Sequence, residues 1–302
     1  MGKLILKCTN LSKKIGKKQI LEDVSLYVHE GDIVGFIGPN GAGKTTTIKL
    51  ILGLQKITSG EVVINGYNLK EDFKKAIKNV GAIVESPDLY MYLTGYENLK
   101  LIANLYDGID EKRINEVVEL VGLKNRIKDK VSRYSLGMRQ RLGIAQAILH
   151  RPNVLILDEP TNGLDPEGIK EMRELLEKLA KQEGMGILIS SHNLAELETF
   201  CNKACIIQNG KLIEETSLNK LKEDSICNYI LEVNDTKLLK KLKQYEFSIK
   251  NETICSIILE KENVPQLVKD LVKEDVSIYF IKKDARTLED AFLRKTGGNV
   301  ID

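Results

Sequence analysis

Residues 38 to 46 read Gly38, Pro39, Asn40, Gly41, Ala42, Gly43, Lys44, Thr45 and Thr46, a complete GxxxxGK[ST] phosphate loop. Glycines and small residues let successive backbone N–H groups close around phosphate oxygens at the positive end of a helix. Lys44 reaches the β- and γ-phosphates as a point charge, the Thr45 hydroxyl takes a place on a magnesium ion, and Thr46 adds a phosphate hydrogen bond. A second segment, Val154 to Glu159, is an apolar run ending in the adjacent carboxylates Asp158 and Glu159. Asp158 suits a water-mediated magnesium ligand. Glu159 suits the group that orients or deprotonates the water attacking the γ-phosphorus. Together these residues imply binding and hydrolysis of a nucleoside triphosphate.

Such residues work only at strand ends and helix starts, and the flanking pattern supplies both. The apolar run Ile33 to Ile37 precedes the loop and a helical stretch from Thr46 to Leu54 follows it. Short segments at Leu4 to Thr9 and Val24 to His29 predict an antiparallel lead-in, and a further strand pair is expected at Glu61 to Ile64 and Val80 to Val84. Helical spacing over Glu97 to Leu105, Glu111 to Val121 and Leu136 to Leu149 predicts an all-helical insert, about residues 86–150. The β/α alternation then resumes with strand Val154 to Leu157, helix Pro166 to Gln182, strand Gly186 to Ser190 and helix Leu194 to Phe200, implying a parallel sheet with helical crossovers. A hairpin over Ala204 to Ile213, turned at Asn209-Gly210, closes this domain near residue 215.

From about residue 216 the composition shifts toward Lys, Glu and Asn. The expected order is strand Tyr229 to Val233, helix Thr236 to Leu242, strands Ser248 to Ile249 and Ile254 to Leu259, helix Val264 to Lys273 and strand Ser277 to Ile281. That order predicts a small ferredoxin-like α+β domain over 216–302. A last helix, Thr287 to Arg294, is expected with Thr287 as its cap.

With 302 residues and 42% hydrophobic content, one large and one small domain are the natural division. Lys and Arg number 45 against 43 Asp and Glu, a net charge of +2 that offers no broad field for nucleic acid. Five scattered cysteines with no CxxC pair suit reduced thiols in a cytosolic setting. No apolar run approaches a membrane span, so membrane association is expected only through a partner.

Three further segments complete a resemblance. Ser135-Leu136-Gly137-Met138-Arg139-Gln140-Arg141 precedes the carboxylate strand, Asn162-Gly163-Leu164-Asp165 follows it, and His192 stands after the next strand. In register with the phosphate loop and Asp158-Glu159, over residues 4 to about 215, this order resembles an ABC-transporter ATPase subunit. The resemblance implies a P-loop nucleotide-binding domain of mixed α/β type and a homodimer sandwiching two ATP and two magnesium ions. Ser135 and Gly137 at a helix tip would touch the γ-phosphate held by the other copy. His192 would hydrogen-bond that phosphate, and Asp165 would communicate across the dimer.

Two positions depart from the family pattern. Glu85 stands where a glutamine is usual; the expectation is that it approaches the metal and that its negative charge makes closure depend more strongly on magnesium, the alternative being a side chain that simply faces solvent. Ile15 stands where an aromatic residue usually stacks on adenine, so base discrimination is expected to be weak.

Within the family, the signature spelling, Glu85 before Ser86-Pro87, and the ending Arg286 to Leu293 resemble the ABC-2 exporter branch, in particular bacitracin- and lantibiotic-resistance ATPases. That implies a peripheral subunit on the cytoplasmic face of the membrane, working with a separate polytopic permease that exports an antimicrobial peptide or drug. The competing expectation is a soluble ABC regulatory or sensing module that does not drive transport. Tyr90, Tyr92, Tyr96 and Tyr106 crowd the stretch after Glu85, and a groove receiving a permease helix or simple packing of the insert accounts for them equally well.

Overall fold

The structure, a computed structural model, describes residues 2–193, 199, 201–217, 226–242 and 244–284. The expected helices Leu194 to Phe200 and Thr287 to Arg294 lie outside the described residues, apart from Thr199. The chain separates into two compact units, with the break after Ser217.

In the first unit, two long antiparallel strands, β1 (Leu4–Ile15) and β2 (Lys18–His29), turn at Gly16 in a left-handed conformation, φ 57°. Then come β3 (Ile33–Ile37), the phosphate-loop helix α1 (Lys44–Ile51), β4 (Ser59–Ile64), the short β5 (Tyr67–Asn68), α2 (Phe73–Ile77) and β6 (Val80–Ile83). Next are α3 (Gly95–Ala103), α4 (Glu111–Leu120), α5 (Leu136–Ile148), β7 (Val154–Asp158), α6 (Pro166–Glu183), β8 (Gly186–Ser191), β9 (Lys203–Gln208) and β10 (Lys211–Ser217). Local chemistry sets the helix starts. Thr94 and Glu97 form a reciprocal capping box on α3, and Asp110, Ser135 and Asp165 cap α4, α5 and α6 through their side chains.

Two sheets result. The first is antiparallel in the order β2-β1-β4-β5; the second runs β10-β9-β3-β8-β7-β6 and is parallel from β9 to β6. The mixed α/β architecture expected from the sequence is therefore present. The strands expected at Glu61 to Ile64 and Val80 to Val84 exist but part company: β4 joins β1, whereas β6 joins β7. Every residue of β3, β7 and β8 is buried, as central parallel strands covered on both faces require. Helix α1 locks the sheets together, because Ile48 and Ile51 share one apolar cluster with Leu6 and Leu26 of the first sheet and Phe36, Ile156 and Leu188 of the second. Truncating such a residue to alanine costs about 2–5 kcal/mol.

The second unit contains β11 (Ile226–Val233), a 3-10 segment at Thr236–Lys241, β12 (Phe247–Ile249), β13 (Ile254–Glu260), α7 (Val264–Lys273) and β14 (Ile278–Asp284). A full α-helix is expected at Thr236 to Leu242; after its Asp235 cap the segment winds instead as 3-10 over six residues, a longer run than this form usually makes. The sheet order is β12-β13-β11-β14. Tyr229, Leu231 and Val233 alternate inward on β11 and pack with Leu239, Leu267 and Leu271 into a separate core.

Candidate functional site

Strand order explains how residues distant in sequence meet. β8 lies between β3, which delivers the phosphate loop, and β7, which ends in Asp158. In register, Ser190 of β8 pairs with Phe36 on one side and with Asp158 on the other. Three strand ends therefore open side by side at their carboxyl edge, where ligands of α/β sheets bind.

The loop itself needs its glycines. Gly43 has φ 111°, outside the range of ordinary side chains, and a Cβ there would stand 2.5 Å from Leu21 Cδ2. Gly38 passes so close to the Ile207 carbonyl of β9 that any side chain would collide with backbone. The conformation delivers Lys44 inward, 6% exposed, with Nζ donating to the Gly38 carbonyl at 2.7 Å and the Pro39 carbonyl at 3.3 Å. Burial lowers the Lys44 pKa below its usual 10.5, opposed by the charges of Glu159 and Asp158.

Beside it, the Thr45 hydroxyl donates to Asp158 Oδ2 at 2.9 Å, and the Ser190 hydroxyl donates to Asp158 Oδ1 at 2.5 Å. Glu159 Oε1 lies 3.7 Å from Lys44 Nζ. Its Oε2 lies 3.3 Å from His192 Nδ1, an ion-pair distance without hydrogen-bond alignment. Glu159 adopts φ 51°, a left-handed conformation that costs a non-glycine residue about 1–2 kcal/mol. Its N–H is held by both the carbonyl and the hydroxyl of Ser190, at 3.2 and 3.0 Å. The turn aims the Glu159 side chain at the lysine.

The structure thus brings Lys44, Thr45, Asp158, Glu159 and His192 into one constellation. Ser135, Gly137 and Asp165 gather elsewhere in this unit, lining a cleft of about 460 Å³ with Leu136, Gly163 and Leu164. Ser135 accepts from the Met138 N–H at 3.3 Å, and Asp165 from the Gly168 N–H at 3.0 Å, so each caps its own helix. Gly137 has open space: a Cβ would meet nothing nearer than Leu164 Cδ2 at 3.8 Å.

Glu85 stands two residues beyond Ile83, which pairs with Leu157. Its carboxylate turns to Lys49 of α1, with Nζ to Oε1 at 3.0 Å, rather than hydrogen-bonding to Thr45 or Asp158. Sequence reasoning missed Lys49; a cation in the helix behind the phosphate loop was the available signal. It also missed Ser190, although two serines ending an apolar strand just before His192 were visible. Ile15 is 55% exposed at the end of β1.

The tyrosines do not form one wall. Tyr90 and Tyr92 meet edge to face at 5.9 Å, the Tyr96 hydroxyl donates to Glu111 of α4 at 3.2 Å, and Tyr106 stacks on His150 at 4.5 Å.

Comparison with known proteins agrees with this geometry. Residues 21–162 match the family described as ABC transporter. The chain is 47% identical to the uncharacterized ABC transporter ATP-binding protein YhcH of Bacillus subtilis, over 98% of this chain and 97% of that one. It is 41% identical to the bacitracin transport ATP-binding protein BcrA of Bacillus licheniformis, over 98% and 99%. A solved dimeric ATP-binding cassette in a post-hydrolysis state with ADP and phosphate superposes with a TM-score of 0.63 at 28% identity, covering 71% of this chain and 99% of that one. Near full-length likeness to ATP-binding subunits, carried on a phosphate loop joined to paired carboxylates, establishes that the chain belongs to the ABC transporter ATP-binding family, ATPases coupled to transport.

Proposed function

We propose that this chain powers an exporter, hydrolysing ATP to drive an antimicrobial peptide or drug through a separate membrane subunit. The observation that carries the reading is the joined constellation of Lys44, Thr45, Asp158 and Glu159 in a chain alike, from end to end, to a bacitracin transport ATP-binding protein. On this reading residues 1–215 are the ATP-binding domain, with its helical insert at about 86–150, and 216–302 form an accessory domain.

The phosphate loop and Thr46 receive the triphosphate. Lys44 exchanges its bonds to the Gly38 and Pro39 carbonyls for phosphate oxygens, a charge-assisted gain. Thr45 Oγ1 and Asp158 Oδ2, two hard oxygens side by side, fit a magnesium ion, which needs few protein ligands when phosphates and water complete its shell. Once bound, that ion would neutralise charge developing on the phosphates. Glu159 orients and deprotonates the attacking water, and its approach to Lys44 and His192 keeps the carboxylate over the loop. His192 donates to the γ-phosphate.

A second copy supplies the rest. Ser135, Gly137 and the α5 N-terminus offer N–H groups and a positive dipole end to a phosphate held by the other chain, with Asp165 at the seam. Support comes from the open space at Gly137 and from the dimeric form of a cassette with the same fold.

Among the described residues no helix is long and apolar enough to cross a membrane. The likeness to a bacitracin transport ATP-binding protein supports a chain acting at the cytoplasmic face through a polytopic permease. The permease would meet it beside β6, where Pro87, Ile102, Tyr106, Gln146 and His150 line a cavity of about 370 Å³. Co-purification with a polytopic membrane protein, and peptide-antibiotic sensitivity on deleting the gene, test this. A chain that purifies without such a partner and leaves sensitivity unchanged would favour the regulatory reading.

A further inference from the structure

Ser190 belongs to none of the motifs, yet it hydrogen-bonds to both acidic residues of the site, to the Asp158 carboxylate and to the Glu159 backbone N–H. It is fully buried at the end of β8, level with Asp158 in the register of the sheet. A serine hydroxyl carries one proton and two lone pairs. Here the proton goes to Asp158 Oδ1, and the oxygen accepts the N–H of Glu159. Both bonds form at once, because an ionised carboxylate only accepts and an amide N–H only donates.

Each bond constrains something the chemistry uses. With Oδ1 held by Ser190 of β8 and Oδ2 facing Thr45 of α1, Asp158 has one orientation fixed from a strand and a helix. Glu159 follows in a left-handed conformation that non-glycine residues avoid, and Ser190 holds its N–H through two oxygens. We propose that Ser190 is a positioning residue that sets both carboxylates together, presenting Asp158 Oδ2 beside Thr45 and fixing the turn that aims Glu159 over the phosphate loop. The inference rests on the reading of Asp158 and Glu159 given above.

Full-length S190A and S190T test it with two readouts that need no turnover. In the nucleotide-free protein, amide hydrogen exchange at Glu159 should quicken about tenfold in S190A, reflecting one lost hydrogen bond, and return toward the parent rate in S190T, which keeps the hydroxyl. In an E159Q background, the gain in ATP affinity produced by adding magnesium should shrink about tenfold in S190A, while metal-free ATP binding stays the same. Parent-like exchange together with an intact magnesium gain would overturn the proposal, as would a lower melting temperature with neither readout moved. If S190A does not fold, S190C has nearly the same size and a far weaker donor, and the same two outcomes decide. Undiminished turnover in E159Q alone would instead remove the role given to Glu159, while the exchange measurement would still judge Ser190.

Discussion

Helices α1 and α5 both start at a residue suited to phosphate, but their surroundings are opposite. At α1, Lys44 is enclosed and bonded to its own loop, Thr45 is bonded to Asp158, and Asp158 to Ser190. At α5, among the described residues, Ser135 bonds only within its helix start, Gly137 faces open space, and Leu136 is 43% exposed beside the cleft. The first region is organised within one chain, so on the proposed reading it takes up nucleotide before a second copy closes on it. The second is a helix tip prepared for something outside the unit, and on the proposed reading its ligand arrives bound to another copy. Substitutions in the two regions should therefore fail in different ways.

The largest effect is expected inside the enclosed region. E159Q should lower turnover by about a hundredfold or more while ATP affinity stays within a few fold, measured by steady-state hydrolysis and equilibrium binding. K44A should instead lose ATP affinity itself, because a buried charge-assisted contact disappears. Equal losses of affinity in both variants would erase the distinction between chemistry and binding.

G137D probes the open region and comes next. An aspartate near a helix start is favourable for the helix and its Cβ has room, which offsets repulsion from Asp165, Glu167 and Glu171 lining the same cleft, so the melting temperature should change by only about 2–4 °C. Turnover should nevertheless fall at least tenfold, because the carboxylate would face a phosphate across the dimer. Normal turnover would break the comparison.

A smaller effect is expected at the ion pair joining Lys49 to Glu85. Both groups are partly solvated, so the pair contributes about 0–1 kcal/mol, and Lys49 already offsets the charge expected to burden the site. E85Q should change the magnesium dependence of hydrolysis by less than about threefold, whereas K49A, which leaves the carboxylate uncompensated, should raise the magnesium needed. A strong shift in E85Q with none in K49A would show that Glu85 meets the metal directly.

The smallest effect is on stability, at the groove where Tyr106 stacks on His150. Burial holds the His150 pKa below its usual 6.5; nearby Arg113 and Lys78 add to this, and Nε2–H donation to the Val80 carbonyl opposes it. Because the folded chain takes up this proton less readily than the unfolded one, the stability linked to His150 is complete above pH 6.5 and declines as pH falls through that value. Replacing His150 by asparagine should flatten the acid limb of a denaturation curve. An unchanged slope would exclude this origin.

The enclosed region was readable because its chemistry is local. A phosphate cradle demands glycine at particular torsion angles, and an apolar strand ending in Asp158-Glu159 announces its own placement. The rest depends on partners that spacing does not reveal. Ser190 reads as an ordinary strand residue until β8 is known to lie between β3 and β7. Lys49 reads as a solvated helix lysine until β6 brings Glu85 beside it. β4 and β6 carry similar apolar patterns but enter different sheets, because periodicity identifies a strand and not its neighbour. Likewise, four tyrosines close in sequence end in three separate contacts, once α3 and the following loop turn them apart.

The central claim is that two copies grip each nucleotide jointly, and the mass of the E159Q chain in solution tests it most directly. With ATP and magnesium, light scattering should show a dimer, and adding either K44A or G137D to E159Q should return it to a monomer under the same conditions. A mass unmoved by ATP, or a dimer that forms just as well with G137D, would contradict the account.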